Sequence, residues 1–307
     1  MNKCPFFEKC GGCKFDFTAT DYKENKKKLI DNLPTTNSPI WIDAGVRRRA
    51  DFAFAGGRFG FFEKGTKNII PIKHCPNLTQ AINDILPYIA KLPWGGSGAC
   101  LITECENGID IAISANVPFF SPEFKTAVSA LPAIRITWND KIIKQTETPI
   151  IAFGKKLVEY PTNAFLQPSV NSANIMRQMV KENTDGYEHI ADLFCGLGNF
   201  TFETGADGFD IVGTGVKRDL FKKPLSTKTL NQYDCVIMDP PRAGAMAQSK
   251  EIAQSNVKRV IYISCNPDTF MRDKKILESG GYKNINLTPI DQFVGSTHWE
   301  LFSVFDK

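Results

Sequence analysis

The sequence predicts an α/β protein in two parts, an amino-terminal α+β domain over residues 1–160 and a Rossmann-like domain over residues 161–307. Three observations carry that reading. An apolar run at 189–194 (HIADLF) leads straight into Cys195-Gly-Leu-Gly-Asn-Phe200, the order strand, glycine loop, helix. Two further buried-type runs, 234–239 (DCVIMD) and 260–264 (VIYIS), stop at the turn-forming residues Pro240-Pro241-Arg242 and Cys265-Asn266-Pro267. Before about residue 165, by contrast, β-type runs come in hairpins and alternate with single helices.

A chain of 307 residues exceeds the usual single-core size, which fits two domains. With 42% hydrophobic and 11% aromatic residues it can bury a sizeable core, so disorder is excluded. A net charge of +4 suits a polyanionic partner without demanding one. There is no apolar run long enough to cross a membrane and no leader pattern at Met1-Asn-Lys-Cys-Pro, so a cytoplasmic protein is expected. Nine cysteines, an odd count, argue against a disulfide framework; some must be ligands, nucleophiles or core residues.

In chain order, Cys4, Cys10 and Cys13 come first, with Gly11 and Gly12 letting the backbone fold tightly round whatever the thiolates hold. Cys75, locked by Pro76, is the candidate fourth ligand. Zinc prefers paired C-x2-4-C spacings, and a triplet plus one remote cysteine fits a [4Fe–4S] cluster better, although His74 keeps a zinc variant open. The basic stretch 23–29 reads as a helix with a solvated face or a nucleic-acid contact. Arg47-Arg48-Arg49 then precede the alternating strand 50–54, which turns at Gly56-Gly57 into 58–62. Apolar residues at helical spacing over 78–92 predict a helix containing Pro87, followed by a hairpin around Asn107-Gly108, a helix over 121–130 and strands near 134–138 and 141–144. None of these elements looks catalytic.

The second half begins with Ala164-Phe-Leu-Gln-Pro168 and a helix over 170–182. Its glycine loop lacks the third glycine of the dinucleotide fingerprint and the Lys-Ser/Thr of a phosphate loop. It therefore suits S-adenosylmethionine, which carries no pyrophosphate, better than NAD. Asp239 followed by two prolines makes a rigid turn at a strand's carboxyl end, where ligand contacts gather. Cys265, taken alone, reads most simply as a buried structural thiol. Residues 297–300 (THWE) could likewise be no more than the start of the last strand, 301–305.

Together these segments resemble the S-adenosylmethionine-dependent RNA uracil-5 methyltransferases. The carriers are Phe165-Leu-Gln167, Asp192-Leu-Phe-Cys-Gly-Leu-Gly-Asn-Phe200, Asp239-Pro-Pro-Arg242, Ser264-Cys-Asn-Pro267 and His298-Trp-Glu300, in the family's order. Cys4, Cys10, Cys13 and Cys75 extend the likeness to the iron–sulfur branch that acts on 23S ribosomal RNA. The resemblance implies a class I methyltransferase domain with an amino-terminal α+β domain that carries the cluster. It implies Cys265 as the nucleophile that adds to C6 of uracil and Glu300 as the base that removes the C5 proton. Gln167, Phe194, Asn199, Asp210 and Asp239 would line the cofactor pocket, and the target base must leave its stack to enter.

Two departures from the pattern are expected to matter. Between Gly198 and Asp239 too few residues remain for two helices at ~1.5 Å per residue, so the cofactor wall is expected to be shortened. Asp210 is the best match to the ribose-binding acid, and Asp219 marks the candidate third strand. At the front, Cys4 stands so near the start that no separate β-barrel RNA-binding module is expected, leaving RNA capture to the cluster domain and Arg47–Arg49. Within the class, transfer RNA is the alternative substrate; outside it, a non-catalytic iron–sulfur RNA-binding protein is the rival reading, against which the intact Cys265 and Glu300 argue. An amino-group methyltransferase is disfavoured because Arg242 stands where an aromatic would hold the amine. No membrane contact is expected, and a monomer is the favoured state.

Overall fold

A computed structural model of the chain describes residues 4–117 and 121–307. Met1 to Lys3, read above for a leader pattern, lie outside them.

Eight strands form the sheet that carries the site. In spatial order they are Val216–Lys217, Asp207–Asp210, Ile190–Leu193, Cys235–Met238, Arg259–Ser264, Glu300–Asp306, Lys283–Asp291 and Ile40–Trp41. The first five run parallel, and Glu300–Asp306 lies antiparallel between Arg259–Ser264 and Lys283–Asp291. From Ile190–Leu193 the chain first builds outward to one side, then returns to place Cys235–Met238 on the other. Leu193 and Met238 therefore flank a point where strand order reverses, the position at which open α/β sheets bind ligands.

The central strands are apolar throughout because both faces are covered. Val260 and Tyr262 pack with Leu193 and Met238 on one face, while Ile261 and Ile263 pack with Ile237 and Phe302 on the other. This is why those runs read from sequence as continuous rather than alternating.

The seven-stranded sheet lies within residues 1–160, in the order Ile69–Pro71, Arg58–Phe62, Arg49–Ala55, Ser97–Cys105, Gly108–Ala115, Arg135–Trp138 and Lys141–Gln145. Helices Gln80–Ile89 and Pro122–Ser129 supply Ile82, Ile85, Leu86, Phe124 and Val128 to a core shared with Phe52, Phe54, Ile102 and Ile136. A small hairpin, Ile150–Phe153 with Lys156–Glu159, follows, and its Ile151 and Phe153 pack with Leu197 of the glycine loop.

The amino-terminal segment also reaches the other sheet, since Ile40–Trp41 forms its far edge, beside Ile290 and Asp291. Helix Tyr22–Lys27 packs there too, and this overturns the solvated reading of its basic face at one position. Lys26 is fully buried and paired with Asp291, to which the Tyr22 hydroxyl also donates at 2.6 Å.

The shortened wall is present as expected. The glycine loop is followed by only one helical turn, Thr201–Thr204, and five residues separate Asp207–Asp210 from Val216–Lys217. A parallel neighbour normally needs a crossover of about a dozen residues or more; here the 211–215 loop folds straight back over the glycine loop. Asp219 stands two residues beyond the third strand, and its Oδ1 accepts from the backbone N–H groups of Phe221 and Lys222.

Candidate active site

The last bonded pair of the Arg259–Ser264 and Glu300–Asp306 ladder joins Ser264 to Leu301; Cys265 and Glu300 are the next residue on each side, and Glu300 acts electrostatically on the Cys265 thiol. Neighbouring antiparallel strands hold opposed residues about 4.5–5.5 Å apart at Cα. The two residues that the sequence placed in one reaction thus meet at the rim of one sheet. Asp239, one residue past Met238 on the next strand, is close enough to act electrostatically on both.

Local chemistry fixes this rim. Asn266 caps helix Pro267–Ser279 by accepting from the N–H of Asp268 at 3.1 Å, and its Nδ2 donates to the Arg242 carbonyl at 3.0 Å, tying the cysteine turn to the Asp-Pro-Pro-Arg loop. Gly244 closes that loop at φ +72°, where a Cβ would stand 2.6 Å from Asp273 Oδ2. The same Asp273 oxygen accepts from the Ala245 N–H and the Tyr262 hydroxyl, both at 2.7 Å.

Burial, together with Glu300 and Asp239, pushes the Cys265 thiol up to about 11, against the opposing pull of Arg242. Glu300, only 2% exposed, is held well above the usual carboxylate range by burial and by Asp239. Gln292 works against that shift by donating from Nε2 to Glu300 Oε2, and Ser172 Oγ in turn donates to Gln292 Oε1 at 2.9 Å. Asp239 is pushed up to about 7 by burial and by Asp192, with Gln167 Nε2 donating to it at 3.0 Å. Asp192, bonded by the Thr201 hydroxyl at 2.6 Å, also rises to about 7 through burial. Asp192 and Glu300 are buried and Asp239 is half-buried, and Asp239 acts electrostatically with both, from the glycine loop to the cysteine. A cation bound among them would relieve their mutual repulsion.

Beside these acids lies a small cavity of about 60 Å³ lined by Arg48, Gln167, Phe194, Gly196, Asn199 and Asp239, among others. Two polar atoms in its lining, Gln167 Oε1 and Asn199 Nδ2, are buried without a protein partner. One accepts and the other donates, which suits the ammonium and carboxylate of an amino acid. Gln167, Phe194, Asn199 and Asp239 are therefore brought together. Asp210 does not line this cavity, and its carboxylate accepts from the backbone N–H groups of Gly196, Ile211 and Val212.

Cys4, Cys10, Cys13 and Cys75 line one separate cavity of about 260 Å³, with Arg47 and His74. Asn83 braces Cys75, accepting from its N–H at 2.8 Å and donating to its carbonyl at 3.0 Å. Among the described residues no three His, Cys, Asp or Glu side chains form a group able to hold a metal ion. Of the arginines expected to capture RNA, Arg48 is 2% exposed and Arg47 lines this cavity, donating to the Arg49 carbonyl at 2.9 Å. They do not form an open basic surface.

A strap joins this cavity to the rim. Lys14 and Phe15 donate their N–H groups to the Gly295 carbonyl at 2.7 and 2.9 Å, Asn77 Nδ2 donates to the Val294 carbonyl at 2.9 Å, and a Cβ on Gly295 would stand 3.0 Å from Cys13 Sγ. Five residues later the chain reaches Glu300. Sequence reasoning missed Gln292 and Ser172, and it assigned Arg48 to RNA capture where the structure has it lining the cavity beside Asp239. Gln292 follows a strand whose Asn284, Asn286, Thr288 and Pro289 hide its β character.

The sequence has recognisable relatives. A family model described as tRNA (uracil-5-)-methyltransferase matches residues 217–306. An uncharacterised RNA methyltransferase of Brucella melitensis is 33% identical over 348 residues, covering 99% of this chain and 84% of the relative. A 23S rRNA (uracil(1939)-C(5))-methyltransferase of Vibrio parahaemolyticus is 26% identical, covering 99% and 81%. The crystal structure of the Pyrococcus abyssi tRNA (uracil-54, C5)-methyltransferase with S-adenosyl-L-homocysteine superposes with a TM-score of 0.74 at 21% identity, over 94% of this chain and 83% of that one.

Proposed function

The chain belongs to the RNA (uracil-5-)-methyltransferase family, and from that premise we propose that it methylates C5 of a uridine in 23S ribosomal RNA, with Cys265 as nucleophile and Glu300 as base. The observation that carries this reading is the Cys265–Glu300 pair at the end of one antiparallel ladder, with Asp239 beside it. The 23S substrate is carried over from the name of the Vibrio relative. A transfer RNA substrate remains the alternative within the class.

S-adenosylmethionine, when bound, supplies an activated methyl group on a positively charged sulfur. The buried carboxyls of Asp192 and Glu300, with the partly exposed Asp239 near both, suit such a cation, and Gln167 and Asn199 suit its amino-acid end. C5 of uracil is too weak a nucleophile to attack unaided. The Cys265 thiolate adds to C6, pushing electrons onto C5, which can then take the methyl group. Glu300 next removes the C5 proton, and the electron pair released from that C–H bond expels the Cys265 thiolate from C6; the proton left on Glu300 passes to solvent, which restores the starting state. Gln292 keeps a proton donor on Glu300 and favours the charged form that this step needs.

Cys4, Cys10, Cys13 and Cys75 are proposed to bind a [4Fe–4S] cluster. Their thiols line one shared cavity of about 260 Å³, and four thiolates are the donor set that such a cluster takes. Anaerobically purified protein should be brown with about four irons per chain; colourless protein with one zinc would replace the cluster. The protein is proposed to act in the cytoplasm, and among the described residues no helix is long and apolar enough to cross a membrane.

The occupied carboxylate of Asp210 favours one rival, a non-catalytic RNA-binding protein on the same fold. Incubation with labelled S-adenosylmethionine and a 23S transcript separates the two. Formation of 5-methyluridine supports the enzyme. A bound but unmodified transcript supports the rival.

A further inference from the structure

The segment after the glycine loop is organised around Asp210 in a way the family resemblance did not imply. Asp210 Oδ2 accepts from the Gly196 N–H at 2.9 Å, while Oδ1 accepts from the Ile211 and Val212 N–H groups at 2.6 and 3.3 Å. A carboxylate has about four lone-pair positions, and three of these are taken by the chain's own backbone. What is left cannot hold two neighbouring hydroxyls.

The loop is also pressed onto the glycine turn. Thr214 donates its N–H to the Gly196 carbonyl at 3.2 Å. Gly213 sits at φ +96°, where a Cβ would stand 1.8 Å from the Gly196 oxygen, and one on Gly215 would stand 2.5 Å from the Gly208 oxygen. Such backbone-to-backbone contact is open only to glycine. The cavity beside it, about 60 Å³, is far smaller than the ~300–1,000 Å³ of sites that enclose a drug-sized ligand. Its unpartnered atoms, Gln167 Oε1 and Asn199 Nδ2, suit an amino acid. Outside lie Ile211, Val212 and Val216, each more than half exposed, an apolar surface. The Brucella relative aligns over 348 residues, so it has at least 41 that this chain of 307 lacks.

We infer that this chain holds S-adenosylmethionine by its methionine end and does not grip the ribose hydroxyls, because Asp210 instead latches the 211–215 loop across the glycine turn. The inference rests on the donor reading above. It predicts a cofactor site that is indifferent to the sugar's hydroxyls.

Calorimetry on the full chain tests it, using S-adenosylhomocysteine and its 2′-deoxy and 3′-deoxy analogues. A hydrogen bond from a ribose hydroxyl to a carboxylate would make the analogues about 10- to 100-fold weaker. The expected result is affinities within about threefold of one another. An analogue more than about tenfold weaker overturns the inference and leaves the methyltransferase reading intact. Failure of all three to bind sinks the donor reading, and the inference with it. Asp210→Asn adds a second arm: amide exchange at Ile211 and Val212 should quicken while the ratio of affinities stays the same. If Asp210→Asn weakens S-adenosylhomocysteine about tenfold yet leaves the deoxy analogues unaffected, Asp210 grips the ribose and the inference fails.

Discussion

The two walls of the cleft are built to different standards. The proposed reaction wall rests on strands of six and seven residues, Arg259–Ser264 and Glu300–Asp306, whose ladder ends at Ser264–Leu301, one residue short of Cys265 and Glu300, and whose loops are tied through Asn266, Asp273 and Gln292. The cofactor wall rests on strands of four and two residues and a loop whose Ile211 and Val212 face solvent. A covalent reaction tolerates little misplacement, because ~1 Å can cost about a hundredfold in rate. A cofactor can be held by one end. On the proposed chemistry, precision is kept where bonds form and relaxed where a ligand is only retained.

Removing the centre of the reaction wall should have the largest effect. Cys265→Ala should lower methyl transfer by at least about 10⁴-fold while RNA binding, followed by filter retention, stays unchanged. Substantial activity in that variant would break the comparison at once. Glu300→Gln should slow turnover by about 10²–10⁴-fold and let a protein–RNA adduct accumulate, visible as a retarded band under denaturing conditions. A clean loss without an adduct would remove Glu300 as the base.

The cleft acids give the next effect. Asp192 and Asp239 ionise near 7 in the folded protein, against ~3.9 in an unfolded chain. Between about pH 4 and pH 7 the folded state therefore binds more protons, and its stability falls as pH rises, by at most ~4 kcal/mol for each acid. Thermal unfolding should come at lower temperature at pH 8 than at pH 5, and S-adenosylmethionine, as a cation, should narrow the gap. A melting temperature that climbs with pH would show that these acids are already charged and compensated. The smallest effect belongs to the cofactor wall: Val212→Ser, at a side chain 64% exposed, should change stability by less than ~0.5 kcal/mol in a denaturant titration. A larger loss would mean that the loop is more tightly integrated than its exposure implies.

The same contrast decided what could be read from the sequence. Strands 235–238 and 259–264 were legible because burial on both faces writes an unbroken apolar run, and the residues after each run fell at a strand's carboxyl end. The pairing of Cys265 with Glu300 follows from register, which no linear pattern contains, but the motif order anticipated it. Lys283–Asp291 was missed because an inner strand with Asn, Thr and Pro lacks the usual signature. Lys26 was misread because charge alone cannot announce a partner 265 residues away. Arg47–Arg49 were misread for a related reason: a basic triplet looks like a surface, and here Arg48 is buried, its guanidinium reaching the Gln167 carbonyl at 3.4 Å, while Arg47 lines the cysteine cavity.

The Gly295 strap has a consequence for the cell. It is held by backbone groups just beyond Cys13 and by Asn77, two residues after Cys75, so the turn that ends at Glu300 is anchored to the segments that carry those sulfurs. If those sulfurs carry iron and the substrate is the proposed ribosomal RNA, a cell starved of the metal, or one under attack by peroxide, would leave that RNA unmethylated while still making the protein.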